Sequence, residues 1–193
     1  MRRPNLLTRL KSRGFCHRKT ERFHRGISTF QSYDWITAAL LFIGPSYVAN
    51  AAPLIFGRGT PIDRGHNFRD GRPILGSHKT FRGLIAGIFA GTIFGIVESP
   101  FGPQMPLAGF LMGIGAVFGD LLGAFLKRRL DIKPGDPLPI IDQLDFVFGA
   151  LVFSSLVFPL SWASMLLVVF VTPPIHLGTN YGAYLLGLKK TYW

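Results

Sequence analysis

The sequence predicts an all-α, polytopic integral membrane protein of about five transmembrane helices with glycine-rich packing faces. Three observations lead there. Of 193 residues, 48% are hydrophobic and 16% charged, with a mean hydropathy of +0.32, whereas a soluble domain carries roughly 25% charged residues. The apolar residues lie in long blocks, each near the roughly 20 residues that one crossing needs. Glycine then recurs at intervals of four inside those blocks, a pattern that lets helix backbones approach closely in lipid.

The chain divides into a basic tail, 1–32, and a transmembrane catalytic domain, 33–193. Residues 1–30 hold nine Lys and Arg against Glu21 alone, a net +8, while the other 163 residues carry only +3. The pI of about 10.4 therefore describes the tail. The tail lacks a long apolar core, so it does not read as a secretory signal. A solvated extension with no specific role is the plainest account of it, with anionic lipid headgroups as the charge-based alternative. No nucleic-acid partner is expected. Cys16, the only cysteine, excludes an internal disulfide and any cysteine-built metal site in the core.

The first helix is expected over 33–56, interrupted by Pro45, Asn50 and Pro53. A polar loop, 57–79, leads to a second helix over 80–97, where Gly83, Gly87, Gly91 and Gly95 form one ridge. After the linker ESPFGPQMP, a third helix over 107–130 carries Gly109 and Gly113, then Gly115, Gly119 and Gly123. The segment 146–177 is almost wholly apolar. Pro159 and Ser161 divide it into a fourth helix, 141–158, and a fifth, 162–188. Pro173 and Pro174 should kink the fifth, and a full turn there would make six spans.

Five spans set the chain ends on opposite sides. The twelve Lys and Arg outside the tail then share a side with the long loops, and basic loops stay cytoplasmic. The tail's own charges argue for the reverse orientation. The twelve, spread over several short segments, carry more weight, which gives a multi-pass cell-membrane protein with its loops in the cytoplasm.

The ionisable residues gather in GDLLGAFLKRRLDIKPGDPLPIIDQLDF, 119–146. On a helix Asp120, Ala124, Lys127 and Arg128 share one stripe. Asp142 and Asp145, at i and i+3, share a face at the head of the fourth helix. An aspartate deep in a span costs at least about 2.5 kcal/mol on insertion scales. A basic partner for Asp120, or helix N-terminal stabilisation of Asp142, would account for either acid alone. Asp120, Asp142 and Asp145 together, with no Cys or His among them, suit a hard oxygen-seeking cation such as Mg²⁺. Lys79 and Arg82, in GSHKTFRG at the head of the second helix, add cations suited to phosphate. Acids and bases at one membrane face read as metal-assisted phosphoryl chemistry. No GxxxxGK[ST], HExxH or GxSxG motif is present. Asn50 could bond between helices or line the cavity, while His66 and His78 read as loop residues and His176 as a packing group.

The same stretch resembles the signature of the CTP-dependent cytidylyltransferases that make CDP-activated lipids. Its elements appear as Gly119-Asp120, Lys127-Arg128, Lys133 through Asp136, and Asp142-Gln143-Leu144-Asp145. PLPII replaces the HGG turn of the phosphatidate cytidylyltransferases, and Gln143 stands where they have Arg. The archaeal branch, the CDP-archaeol synthases, shares these departures, and NAAPLIFG, PIDRGHNFRDGRPILG and KTFRG are similar to its other blocks over residues 33–190. Ser77-His78 departs from the pattern expected before the Lys.

The resemblance implies CMP transfer from CTP to an unsaturated archaeal diether glycerol phosphate, giving CDP-archaeol and pyrophosphate. It implies Mg²⁺ on Asp120, Asp142 and Asp145, with Lys79, Arg82, Lys127, Arg128 and Lys133 holding phosphates. Asn50, Asp63, Asp70, Thr80 and Asp136 would make further substrate contacts. The partners would be CTP, the lipid phosphate and the bilayer, and a homodimer is compatible with the sequence. A CTP-dependent polyprenol kinase, which releases CDP, and a non-enzymatic transporter or scaffold are the competing readings.

Overall fold

The computed structural model describes residues 33–134 and 136–188. Five α-helices run in the order α1 (Trp35–Phe56), α2 (Phe81–Val97), α3 (Met105–Arg129), α4 (Ile141–Ser154) and α5 (Trp162–Leu185). A single 3₁₀ turn, Ser99–Phe101, follows α2. The basic tail, Cys16, Lys189 and Lys190 lie outside the described residues.

The helix starts follow local chemistry. Asp34 caps α1 by accepting from Ile36 N and Thr37 N, Thr80 caps α2 through Gly83 N, and Ser161 caps α5 through Ser164 N. Each side-chain oxygen satisfies amides that the first turn leaves unpaired. Thr80, expected inside the second helix, is thus its cap. α4 ends at Ser154 instead of 158; 155–157 form a turn, and Pro159 keeps the helix from resuming there. Pro173 and Pro174 make no turn: α5 is one helix through both. Six helices are not found among the described residues.

α3 is the centre of the bundle, packed against α1, α2 and α4, while α5 rests on α1 and α4. Glycines permit this density. The buried residues of α2 are Gly83, Gly87, Gly91 and Gly95 and no others. A Cβ on Gly91 would lie 2.9 Å from Gly109 O and from Gly113 Cα, and one on Gly95 would lie 2.5 Å from Met105 O. On the opposite face of α3, Gly115 meets Gly149 of α4, and Gly119 meets the Asp145 carbonyl. In lipid, where apolar burial drives little, such close contact supplies the attraction.

α1, α3 and α5 are long and apolar enough to cross a membrane; α2 is apolar but has 17 residues. α4 has 14 residues, about 21 Å at 1.5 Å per residue. Large apolar side chains such as Phe89, Phe170 and Leu156 face outward, the inverse of a soluble fold and the expected surface in lipid.

Candidate functional site

The ionisable residues converge at one end of the bundle, where α2 and α4 begin and α3 ends. Lys79 closes the long loop (57–79, loop one) and reaches α3, its Nζ donating to both oxygens of Asp120 at 2.6 and 2.7 Å. Seven residues further along α3, Lys127 Nζ donates to Asp142 Oδ2 of α4 at 2.7 Å, and the same oxygen accepts from Leu138 N at 2.9 Å. The acid and base of the α3 stripe therefore pair outward, to loop one and to α4.

Asp145 Oδ1 accepts from Phe146 N at 2.6 Å. Its Oδ2 rests against Gly123, at the place a Cβ would take, and accepts no hydrogen bond among the described residues. Lys79 feels the fields of Asp120, Asp145 and Asp142 together. Burial alone would lower its pKa, but the Asp120 carboxylate, with Asp145 and Asp142 behind it, outweighs burial and holds the ammonium above its ordinary value. Lys79 is thus charged at any pH the protein meets.

Arg128 differs from its neighbours. It is 4% exposed, takes part in no ion pair among the described residues, and its Nε has no hydrogen-bond partner. Gly76 lies over it: a Cβ there would come 3.4 Å from Arg128 Nη1 and 3.2 Å from Pro134 Cγ. A buried guanidinium with an idle N–H is costly unless an anion completes it. A cavity of about 40 Å³ opens beside the Lys79–Asp120 pair, lined also by Pro53, Thr80, Gly83 and Val117.

Loop one is built to roof this end. Asp63, 8% exposed, accepts from Gly65 N at 3.1 Å, Leu75 N at 2.9 Å and Gly76 N at 2.7 Å. Burial works to raise its pKa, but the amides of Gly76, Leu75 and Gly65 win and hold it below the usual carboxylate value. Thr80 Oγ1 donates to Gly57 O, tying the start of the loop to its end.

This architecture matches known proteins. The family model for CarS-like CDP-archaeol synthases matches residues 32–193. A CDP-archaeol synthase of Methanocaldococcus jannaschii is 41% identical over 175 residues, covering 83% of this chain and 99% of its own. One from Pyrococcus furiosus is 43% identical over 164 residues, covering 82% and 98%. A solved structure described as an intramembrane enzyme for archaeal membrane lipids biosynthesis superposes with a TM-score of 0.72 at 35% identity, covering 76% of this chain and 98% of that one. The chain belongs to the CDP-archaeol synthase family. It is accordingly a membrane protein and a CTP-dependent lipid cytidylyltransferase.

Within this family member, Lys79, Asp120, Lys127, Arg128, Asp142 and Asp145 stand at the same end of the bundle. Arg82 is exposed on α2 and lines a shallow groove of about 280 Å³ with Phe56, Ile85, Ala86 and Phe89. Lys133 and Asp136 are exposed in the α3–α4 loop, where Asp136 N bonds Lys133 O. Asn50 is half-buried on α1, one turn before Pro53. Of Asp63 and Asp70, considered above for substrate contact, Asp63 spends both oxygens on loop amides, while Asp70 engages Oδ1 with Arg129 Nη1 at 2.8 Å and Arg72 N at 3.1 Å. Arg129, which the sequence does not distinguish from Arg128, turns out to hold loop one.

The three carboxylates fit a hard cation in donor chemistry: all are oxygen ligands, they sit within each other's field, and one Asp145 oxygen is uncommitted. They are not closed into a chelate, since no group of three His, Cys, Asp or Glu is close enough among the described residues. Lysines hold two of the three, and those contacts would have to exchange for an ion to bind all of them.

Proposed function

We propose that this chain transfers CMP from CTP to the phosphate of an unsaturated archaeal diether glycerol phosphate, releasing pyrophosphate. The observation that carries this reading is Arg128, buried and unpaired among Lys79, Lys127 and three carboxylates at one end of a membrane bundle. A transporter or scaffold needs its acids and bases only as pairs, and gives no reason for an idle buried guanidinium.

A lipid phosphate oxygen attacks the α-phosphorus of CTP; a new P–O bond forms, the bond to the β-phosphate bridge breaks, and the electron pair leaves with pyrophosphate. The lipid phosphate is ionised near neutral pH, so no general base is required. The difficulty is an anion approaching a polyanion. Arg128 supplies a fixed fork for one phosphate. Lys79 and Lys127 can turn from Asp120 and Asp142 toward phosphate oxygens, and Arg82, exposed beside an apolar groove, suits the lipid headgroup. Magnesium bound by Asp120, Asp142 and Asp145 would neutralise charge and orient the departing pyrophosphate. Loop one and the half-buried position of the site exclude water that would hydrolyse CTP.

Five membrane crossings with this end in the cytoplasm agree with the cations of loop one and of the α3–α4 segment, and CTP is a cytoplasmic nucleotide. The test is purified protein with CTP labelled in the base, Mg²⁺ and diether glycerol phosphate. CDP-lipid and pyrophosphate are expected. Release of CDP with phosphorylated lipid would establish the kinase reading instead. Asp145→Asn should lose turnover while inserting normally, and full activity in that variant would overturn the magnesium assignment.

A further inference from the structure

Loop one touches α3 at two separated points. At one, Lys79 meets Asp120; at the other, nine residues on and about 13 Å along the helix, the contact is Arg129. Its guanidinium lies 4.8 Å from the Phe68 ring centroid and 4.9 Å from that of Phe125, and those rings meet edge to face at 5.4 Å. Nη1 donates to Asp70 Oδ1 at 2.8 Å. Nη2 donates to Pro73 O at 2.6 Å and Arg72 O at 3.4 Å. Arg72 reciprocates, donating from Nη1 to Arg129 O at 2.6 Å, and its Nε lies 3.4 Å from Asp131 Oδ1.

We infer that Arg129 is a latch, a positioning residue that fixes loop one across the end of α3 and so holds Gly76 over Arg128 and Lys79 at Asp120. Its Nη groups are committed to the loop, and Phe68 and Phe125 pack against the guanidinium; only the buried Nε lacks a partner among the described residues. Lysine cannot replace it, because a single ammonium offers neither the planar fork nor the stacking surface. The latch rests on the phosphate-binding reading of Arg128 and Lys79. When it is lost, loop one samples open states in which those two cations are not opposed. CTP must then select the closed fraction, which weakens its apparent binding in proportion, while the fully bound complex is closed and turns over normally.

The test uses the full chain in detergent, with Arg129→Lys, Asp70→Asn and the double variant. Trypsin, which can cut at Arg58, Arg64 and Arg69, reports on loop one without any substrate. In Arg129→Lys, cleavage should rise about tenfold, and KM for CTP should rise about tenfold with kcat within about threefold of wild type. Asp70→Asn, an exposed change that leaves the core intact, should shift both readouts in the same direction by less. The double variant should match Arg129→Lys, because both changes open one latch. Unchanged cleavage and KM in Arg129→Lys would overturn the inference. So would a fall in kcat at constant KM, which marks contact with the reacting phosphates, or effects that multiply in the double variant. Absence of CDP-lipid synthesis by the wild type would sink the proposed reaction, while the trypsin rates would still decide the latch.

Discussion

Replacing Gly123 by alanine should separate the position of Asp145 from the stability of the bundle. The added Cβ would fall on Asp145 Oδ2, with Asp145 Cγ 3.0 Å away. The carboxylate can rotate aside, while Asp145 Cβ, 3.1 Å from the added atom, must give by a few tenths of an ångström. Alanine gains about 0.8–1.0 kcal/mol over glycine in a helix interior, and overpacking costs typically about 1–3 kcal/mol. The two nearly offset, so net destabilisation should lie between about zero and 2 kcal/mol. The carboxylate, however, must leave its place, and a misplacement of about 1 Å in a reacting constellation costs on the order of 10²-fold in rate. Gly119→Ala is the matched control. Its Cβ meets the Asp145 carbonyl, with Asp145 C at 2.8 Å and Phe146 Cα at 3.1 Å, and backbone can yield only if α4 moves. Thermal unfolding in detergent and initial rates of CDP-lipid formation would be measured on both. Gly123→Ala should melt near wild type and be about 10²-fold slower, whereas Gly119→Ala should melt well below it. Wild-type kcat/KM in a folded Gly123→Ala would refute a positional role for the Asp145 carboxylate.

Glu98, in the turn after α2, is 7% exposed and its Oε2 has no hydrogen-bond partner among the described residues; burial raises its pKa from 4.5 to about 7. The folded protein thus binds this proton more tightly than the unfolded chain, so stability falls as pH rises from about 4.5 through about 7. At 1.36 kcal/mol per pKa unit the cost of ionising it reaches about 3 kcal/mol above pH 7. Glu98→Gln should therefore melt higher than wild type at pH 8 and equal to it at pH 4; parallel melting curves at both values would contradict the assignment. Asp63 has the opposite sign. Its folded pKa is depressed, so its contribution is present above the unfolded value near 3.8 and is lost as pH falls through the folded one. Asp63→Asn leaves one oxygen for three amides and should cost about 1–3 kcal/mol, read as faster hydrogen exchange at Leu75 and Gly76. Unchanged exchange there would show that the amides do not depend on the carboxylate.

Much of this was legible in the sequence, for identifiable reasons. Glycines four apart must face one way on a helix, and they are the only buried residues of α2. The acids of DQLD could be placed near Asp120 because both belong to one short signature. What stayed hidden was the division of labour in Lys127-Arg128-Arg129. Successive helix positions turn by about 100°, so three adjacent cations meet three environments: Asp142, the underside of Gly76, and the Asp70–Pro73 stretch of loop one. The contacts of Arg129 reach back 59 residues to Asp70, a separation that no local pattern signals. Glu98 left one unread clue: it is the sole ionisable residue of ESPFGPQMP, where exposure would be the easy assumption and burial is found.

The charges at this end also constrain how the substrates can be held. Lys79, Lys127 and Arg128 balance Asp120, Asp142 and Asp145, so the site is near neutral without ligands. CTP and a lipid phosphate together bring roughly six negative charges near neutral pH, from phosphates whose last pKa lies near 6. Two of these cations, Lys79 and Lys127, are already engaged with carboxylates, and Arg128 alone does not offset that. A net-neutral complex therefore requires cations from solution, and the carboxylates are the groups that would retain them once the lysines turn toward phosphate. The Lys79–Asp120 and Lys127–Asp142 pairs then read as the resting state of an exchange: each lysine released to a phosphate uncovers the oxygens that a metal needs. On this account chelation should weaken CTP binding as well as turnover, and Lys79→Met should weaken CTP binding by leaving an unbalanced Asp120. Full CTP affinity in EDTA would show that the protein's own cations suffice and that the exchange does not occur.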